Sequence, residues 1–543
     1  MNREQTILIT GATGGIGLEL ARLYARQNER LVLVGRLPLS DLSDPLFTAD
    51  TYCQADLAQA KCAAQIANFL VVHGIERLDL LIHNAGVGYY GDIAAQSAAS
   101  IDELLAVNLL APIRLTYALY PHLRAARGKV AFISTAATAV PTADYAVYGA
   151  TKAALEGFAR SLRVEWQGQI AVQLIRPGAT ATPMHAKLGI PLEKMDWRKF
   201  PSAEATAVQI ARAIKPNKRQ ATIGLNNQLL TFAGRNGRFL LDPLLRRQGV
   251  KENGRQGDKE MERLSPILPF SRSPSLPLSP SPVLITGAAD GIGRALAWEF
   301  GRAGYAVIGV DVDAEQVAVT AAELQQAGKT AHFIMVDLSR DDDLARLVEE
   351  IRPFAPLQCL IHNAGISAVG RFEQIDLAAQ ERVIAVNLRA PLQLTAMLAR
   401  EGLLADAVTV GLLSSLSHYA SYPGAAVYAA SKDGVAHYAR SLAVARPLAH
   451  TLTVFPGPTR TAHARRYSPD NSREAKRMPP EQVAGAMVRG VRNGRWRIIP
   501  GMGNQVLAVA GHLFPRLLEW SMKKAILEKL EETKRMGDKE MGR

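Results

Sequence analysis

Short apolar runs and amphipathic stretches alternate along the chain almost from its first residue. Gln5–Thr10 (QTILIT) is a β-rich apolar run with little polar alternation, the pattern of a strand buried on both faces. A glycine-rich turn follows, and then a helix-like stretch, Leu18–Arg26. Arg30–Val34 is the next strand, and LLIHNAG ends another at Asn84-Ala85-Gly86. Helix-like stretches bracket Asn108, Lys129–Ser134 is a further strand, and a later one ends at Arg176-Pro177-Gly178. Strand and helix alternate throughout. This predicts an α/β fold with a doubly wound parallel sheet and ligand at the carboxyl ends of the strands.

The pattern then runs a second time. Pro282–Thr286, Arg294–Arg302, Tyr305–Val310, CLIHNAG, Ala407–Ser414 and the run ending at Phe455-Pro456-Gly457 repeat the first series. TGATGGIG at Thr10–Gly17 returns as TGAADGIG at Thr286–Gly293, and VNL around Asn108 returns around Asn387. GLNNQLLTFAG at Gly224–Gly234 returns as GMGNQVLAVAG at Gly501–Gly511, and the offsets all lie between 276 and 280 residues. One unit of roughly 250 residues is duplicated. The reading is a first domain over 1–250, a charged and then Pro/Ser-rich linker over 251–282, a second domain over 283–520 and a charged tail over 521–543, expected as a solvated helix. Ser265–Pro282 holds six Pro and six Ser in eighteen residues, the composition of a semi-rigid spacer.

Composition changes this picture little. At 48% apolar and 21% charged the 543 residues are those of an ordinary globular protein. The net charge of +13 singles out no partner, and no nucleic-acid module is visible, so no nucleic-acid partner is expected. Cys53, Cys62 and Cys359 show no metal-ligand or CxxC spacing, so neither a metal nor a disulfide is expected. With no signal-peptide core and no apolar run long enough to span a bilayer, the expectation is a cytoplasmic protein.

Two features carry chemistry. Strand, glycine turn and helix in succession let backbone approach a pyrophosphate whose charge the helix N-terminus attracts. The glycines are Gly11, Gly15 and Gly17, then Gly287, Gly291 and Gly293, spaced GxxxGxG. Tyr148-Gly-Ala-Thr-Lys152 and Tyr428-Ala-Ala-Ser-Lys432 each place a phenol and an ammonium on one helix face. Acid–base work near pH 7 needs the phenol lowered by about three units, roughly 4 kcal/mol. One cation about 4 Å away at an effective dielectric near 20 supplies about that much, so the lysine is expected to lower the tyrosine.

In this order and spacing both halves resemble the short-chain dehydrogenase/reductases, single-domain Rossmann-like enzymes. The resemblance implies two tandem NAD(P)-dependent sites acting on CH–OH groups. Tyr148 and Tyr428 become the acid/base, while Lys152 and Lys432 lower its pKa and hold the nicotinamide ribose. Asn108 and Asn387 anchor a relay water. Asp56 and Asp337 face the adenine, Asn84 and Asn363 line the cofactor cleft, and Thr182 and Thr461 meet the carboxamide. The substrate-orienting hydroxyl is Ser415 in the second copy. In the first it is Thr135, with Ser134 adjacent. His83 and His362 replace the family's more usual Asn and are read as packed strand-end histidines.

Eighteen residues after Gly293 stands Asp311, whose carboxylate favours NAD; the matching position is Gly35, followed by Arg36, which favours NADP. The expectation is NADP in residues 1–250 and NAD in residues 283–520.

The first lid, Pro183–Phe200, is apolar and suits a lipid-like substrate (steroid, retinoid, sphingoid or acyl chain). The second, Ala462–Met478, carries Arg465, Arg466, Arg473, Lys476 and Arg477 and suits an anionic group or a solvated surface. Leu229–Leu245 and Val506–Leu518 are apolar with basic flanks. They suit peripheral contact with the inner face of a membrane or packing against the partner domain. Family dimers pair the Asn and Tyr–Lys helices, so the two copies are expected as an intramolecular pseudo-dimer, with a homodimer as the alternative. A secondary alcohol or ketone is the expected substrate. The alternatives are a paired oxidation and reduction that epimerises one alcohol, or one half kept as a nucleotide-binding scaffold.

Overall fold

The structure, a computed structural model, describes residues 3–188, 190, 196–215, 218–236, 281–445, 450–468, 470–472, 474–530 and 532. The first half builds a sheet from β1 (Thr6–Thr10), β2 (Arg30–Gly35), β3 (Tyr52–Gln54), β4 (Leu80–His83), β5 (Lys129–Ile133), β6 (Ala171–Arg176) and β7 (Gln220–Thr222). The second uses β8 (Pro282–Thr286), β9 (Ala306–Asp311), β10 (Ala331–Met335), β11 (Leu357–His362), β12 (Leu404–Leu413), β13 (His450–Val454) and β14 (Arg497–Ile498). Both are seven-stranded and parallel, in the orders β3-β2-β1-β4-β5-β6-β7 and β10-β9-β8-β11-β12-β13-β14. β1 and β4 are neighbours although β2 and β3 intervene in sequence. The chain therefore reverses direction across the sheet between them, as it does between β8 and β11, and opens a crevice at the strand ends. The apolar runs are strands because both sheet faces are covered: every residue of β1 is buried.

One face of each sheet closes on its own helices. The opposite faces share one apolar core, which runs unbroken from Leu8 and Val32 in the first half to Leu284 and Val310 in the second. The helices carrying the Tyr–Lys pairs, Ala146–Glu165 and Ala426–Ala445, lie against each other at the centre of this core. They approach closely because glycines face side chains. A Cβ on Gly149 would overlap His437, and one on Gly157 would overlap Asp433. Around them Arg114 grips Glu381 at 2.6 and 3.1 Å, and Arg389 grips Asp102 at 2.7 and 3.3 Å.

Pro282–Thr286 forms a strand as the apolar run predicts, β8, and of the Pro/Ser-rich run before it only Ser281 lies within the described residues. The tail differs from its expected solvated state: a π-helical stretch, Lys523–Glu528, buries Ile526 and Leu527, and Ile526 packs over the loop at Gly424. Among the described residues no single helix is long and apolar enough to cross a membrane.

Candidate active sites

Each crevice begins where β1 or β8 runs into its glycine turn. Thr10 Oγ1 accepts the backbone N–H groups of Asn84 and Ala85, both at 3.1 Å, while Asn84 Nδ2 donates to the carbonyls of Thr10 and Gly11 at 3.0 and 3.3 Å. Thr286, Gly287, Asn363 and Ala364 repeat these bonds. The turns close so tightly that a Cβ on Gly17 would overlap the Gly11 carbonyl, and one on Gly293 the Gly287 carbonyl. Gly11 and Gly15 adopt φ of 66° and 55°, and Gly287 and Gly291 64° and 55°, where other residues are strained. Thr182 lies beside Gly15 and Thr461 beside Gly291, so the threonine after Pro-Gly comes to the helix N-terminus in both halves. Bare backbone at a helix N-terminus is a cradle for a pyrophosphate, and a dinucleotide fits these residues.

Asn108 and Asn387 sit in π-helical turns, Ala106–Leu110 and Ala385–Arg389. Asn108 Oδ1 accepts the Val87 N–H at 2.9 Å, and Nδ2 donates to the Val87 carbonyl at 2.9 Å and to Thr151 Oγ1 at 3.1 Å. Asn387 makes the same three bonds, to Ile366 and Ser431. The amide is thus largely spent on tying the Asn-Ala-Gly loop to the Tyr–Lys helix. Gly86 packs against both Lys152 Nζ and Asn108 Oδ1, and Gly365 against Lys432 Nζ and Asn387 Oδ1.

In each crevice the hydroxyl expected to orient substrate lies close enough to the phenol to favour its ionised form, Thr135 beside Tyr148 and Ser415 beside Tyr428. Burial nonetheless pushes both phenols up to about 12. Burial also pushes Lys152 and Lys432 down to about 8. Burial, rather than the lysine, sets the direction in which each phenol is shifted here. Lys152 Nζ donates to the Ile133 carbonyl at 3.2 Å and Lys432 Nζ to that of Leu413 at 3.0 Å, with Lys432 Nζ 5.8 Å from the Tyr428 ring centre. Both amines are aimed at a strand end, and low dielectric disfavours their own charge. Ser134 does not come to Tyr148: its hydroxyl donates to Glu156 Oε1 at 2.8 Å, beside a buried Glu156–Arg176 ion pair. That pair could not be found from spacing, since the second half has Ala436 and Phe455 at these places.

At the end of the second strand the halves diverge. Asp311 Oδ2 accepts the Ala289 N–H of the glycine turn at 2.9 Å, and Oδ1 accepts Val312 N–H at 2.8 Å, so the carboxylate is fixed beside the turn. In the first half a Cβ on Gly35 would overlap the Thr13 side chain, and Arg36 is exposed next to it. Asp56 Oδ1 accepts the Ala58 N–H at 3.0 Å; Asp337 is gripped by Ser339 and, at 3.1 Å, by Arg382. His83 and His362 are buried, each with Nε2 2.9 Å from a threonine hydroxyl (Thr116, Thr395), and burial pushes both down to about 3. Met184 and Leu188 of the first lid reach the loop at Gly88; Leu192 and Met195 lie outside the described residues. In the second lid Arg465 pairs with Glu474 at 2.9 Å and Arg477 bonds Ser468, the Asp470 carbonyl and Asn471 at 2.8 Å. Both arginines therefore stabilise the lid itself, and Arg473 lies outside the described residues.

Residues 5–191 and 281–472 match the family model described as short chain dehydrogenase. The chain is 33% identical over 190 residues to 11-beta-hydroxysteroid dehydrogenase-like 2 of Arabidopsis thaliana, covering 33% of this chain and 60% of that protein. It is 31% identical over 219 residues to retinol dehydrogenase 8 of Bos taurus, covering 38% and 68%. The first of these is therefore spanned over less than two thirds of its length. Among solved structures, a short-chain dehydrogenase from Sphingobium yanoikuyae in complex with NADPH is 26% identical with a TM-score of 0.37, over 42% of this chain and 92% of that one. A short chain dehydrogenase/reductase from Burkholderia phymatum in complex with NAD is 20% identical with a TM-score of 0.40, over 45% and 96%. Matched by the same model in each half, the chain belongs to the short-chain dehydrogenase family and is an oxidoreductase.

Proposed function

We propose that the chain interconverts secondary alcohols and ketones at two sites, with NADP in the first half, NAD in the second, and lipid-like substrates. The observation that carries this is the repeated constellation of a hydroxyl beside a phenol, with a buried lysine one helical turn on, next to a glycine turn in which a Cβ on Gly17 or Gly293 would overlap backbone. A bound nicotinamide supplies or accepts the hydride. Tyr148 and Tyr428 give or take the proton of the substrate oxygen, while Thr135 and Ser415 hold that oxygen and share the phenol's hydrogen bond. A phenol pushed up by burial is protonated at pH 7, so each tyrosine is ready to donate to a carbonyl oxygen and must lose its proton before it acts as base.

Different cofactors are supported by Asp311 at the turn in one half and Gly35-Arg36 in the other. Lipid-like substrates are supported by Met184, Leu188 and buried Ile190 in the first lid. Peripheral contact with a lipid surface is supported by exposed Leu229 and Phe232, and by Val506, Leu517 and Trp520 near Arg516, Lys523 and Lys524.

Full-length Tyr148→Phe and Tyr428→Phe, assayed on a panel of steroid, retinoid and aliphatic ketones, test the reading. Each should lose one activity, NADPH-linked for the first and NADH-linked for the second, by at least about a hundredfold. A double variant with normal kcat overturns it.

A further inference from the structure

The loops flanking the two substrate clefts are tied in different ways. In the first half the loop after Asn-Ala-Gly and the loop before the Tyr–Lys helix bond to each other. Gly91 N–H donates to the Asp144 carbonyl at 3.0 Å, and the Tyr90 phenol lies beside the Asp144 carboxylate, which together with burial pushes it up. Tyr90 packs edge-on against Tyr145, and Tyr145 against Tyr148. The second half keeps the backbone bond, Gly370 N–H to the Gly424 carbonyl at 2.9 Å. But Val369 and Gly424 stand where the first half has Tyr90 and Asp144, so that side-chain tie cannot form.

A carboxyl group from the other half takes its place, pushed up to about 8 by burial while two backbone N–H groups pull it down. Glu165, the last residue of the first Tyr–Lys helix, accepts the Gly424 N–H through Oε1 at 2.7 Å and the Phe372 N–H through Oε2 at 3.0 Å. Glu165 is 3% exposed, Gly424 is buried, and the Phe372 ring is wedged against Tyr117, Phe158 and Trp166 of the first half. The second copy has Ala445 at the place of Glu165, so the support is not returned.

We infer that Glu165 is a positioning residue for the second active site, acting across the join on the loop four residues ahead of Tyr428. The physical reason is that Gly424, at φ 83°, has no side chain of its own to fix it. Without Glu165 two buried N–H groups lose their acceptors and the loop drifts. This rests on the proposal that Tyr428 is the second site's acid/base.

The test uses full-length protein. In a Tyr148→Phe background, which reads the second site, Glu165→Ala should lower kcat about tenfold or more and leave KM for the cofactor unchanged, because the Gly287–Gly293 turn is not touched. Glu165→Gln, which keeps one carbonyl acceptor, should lose less. In a Tyr428→Phe background, which reads the first site, both variants should stay within about twofold. Amide hydrogen exchange at Gly424 and Phe372 should accelerate about tenfold or more in Glu165→Ala. Unchanged second-site turnover and unchanged exchange overturn the inference, as does equal loss at both sites. If Tyr148→Phe alone abolishes every activity, it is the two-site reading that fails instead.

Discussion

Lys152 and Lys432 are buried amines whose value falls to about 8. Such a group favours the fold when neutral: its contribution is present above the unfolded value near 10.4 and is lost as the pH falls through about 8. At pH 7 each lysine therefore costs the fold on the order of 3 kcal/mol. Lys152→Met should raise the unfolding free energy at pH 7, by that amount less about 1 kcal/mol for the lost Ile133 hydrogen bond, and the gain should shrink by pH 9.5. Urea denaturation at the two pH values checks this; a gain that grows with pH sinks it. The two phenols near 12 imply that alcohol oxidation accelerates as pH rises from 7 to 9.5 relative to ketone reduction, which initial rates in both directions would show. A Tyr and a Lys one turn apart were legible in the sequence because helical spacing alone sets them side by side. Their protonation was not, because it depends on depth of burial and on which carbonyl the amine meets.

At the scale of elements, the strand–turn–helix unit was readable because its glycines are dictated locally, by φ and by the overlap a Cβ at Gly17 would cause. What surrounds it was not readable. Thr13 fills the space at Gly35, whereas the second half pairs Ala289 with Asp311. Gly35→Asp alone should therefore fail to confer NAD preference on the first half and lower its Tm, while Thr13→Ala combined with Gly35→Asp should shift its NAD/NADP preference about tenfold or more toward NAD. Cofactor titrations of the Tyr428→Phe protein decide the matter; a clean switch by Gly35→Asp alone contradicts the packing argument. The tail shows the same limit. Its charged composition reads as solvated, yet Ile526 and Leu527 are buried, Ile526 over a loop more than a hundred residues earlier.

Over the whole molecule, the duplication was plain in the sequence, but the side chains that join the halves were not. Arg114 and Glu381 lie 267 positions apart, in segments whose periodicity says only that one face is covered. Arg114 is 7% exposed and held by both carboxylate oxygens. Glu381→Ala should cost about 3 kcal/mol of stability by stranding that charge, more than Arg114→Met, which removes it. Equal losses on denaturation would show the pair to be effectively solvated. A half cut free would bare the shared core around Phe158, Trp166 and Phe372, so single-site variants of the full chain are the cleaner route to each activity.

Two identical subunits across a twofold axis must accept every substitution on both sides at once. Fusing the copies ends that obligation. A glutamate can stand at position 165 and an alanine at 445, because the peptide chain fixes which copy faces which. Each site can then be retuned by editing the opposite half, a freedom closed to a symmetric pair.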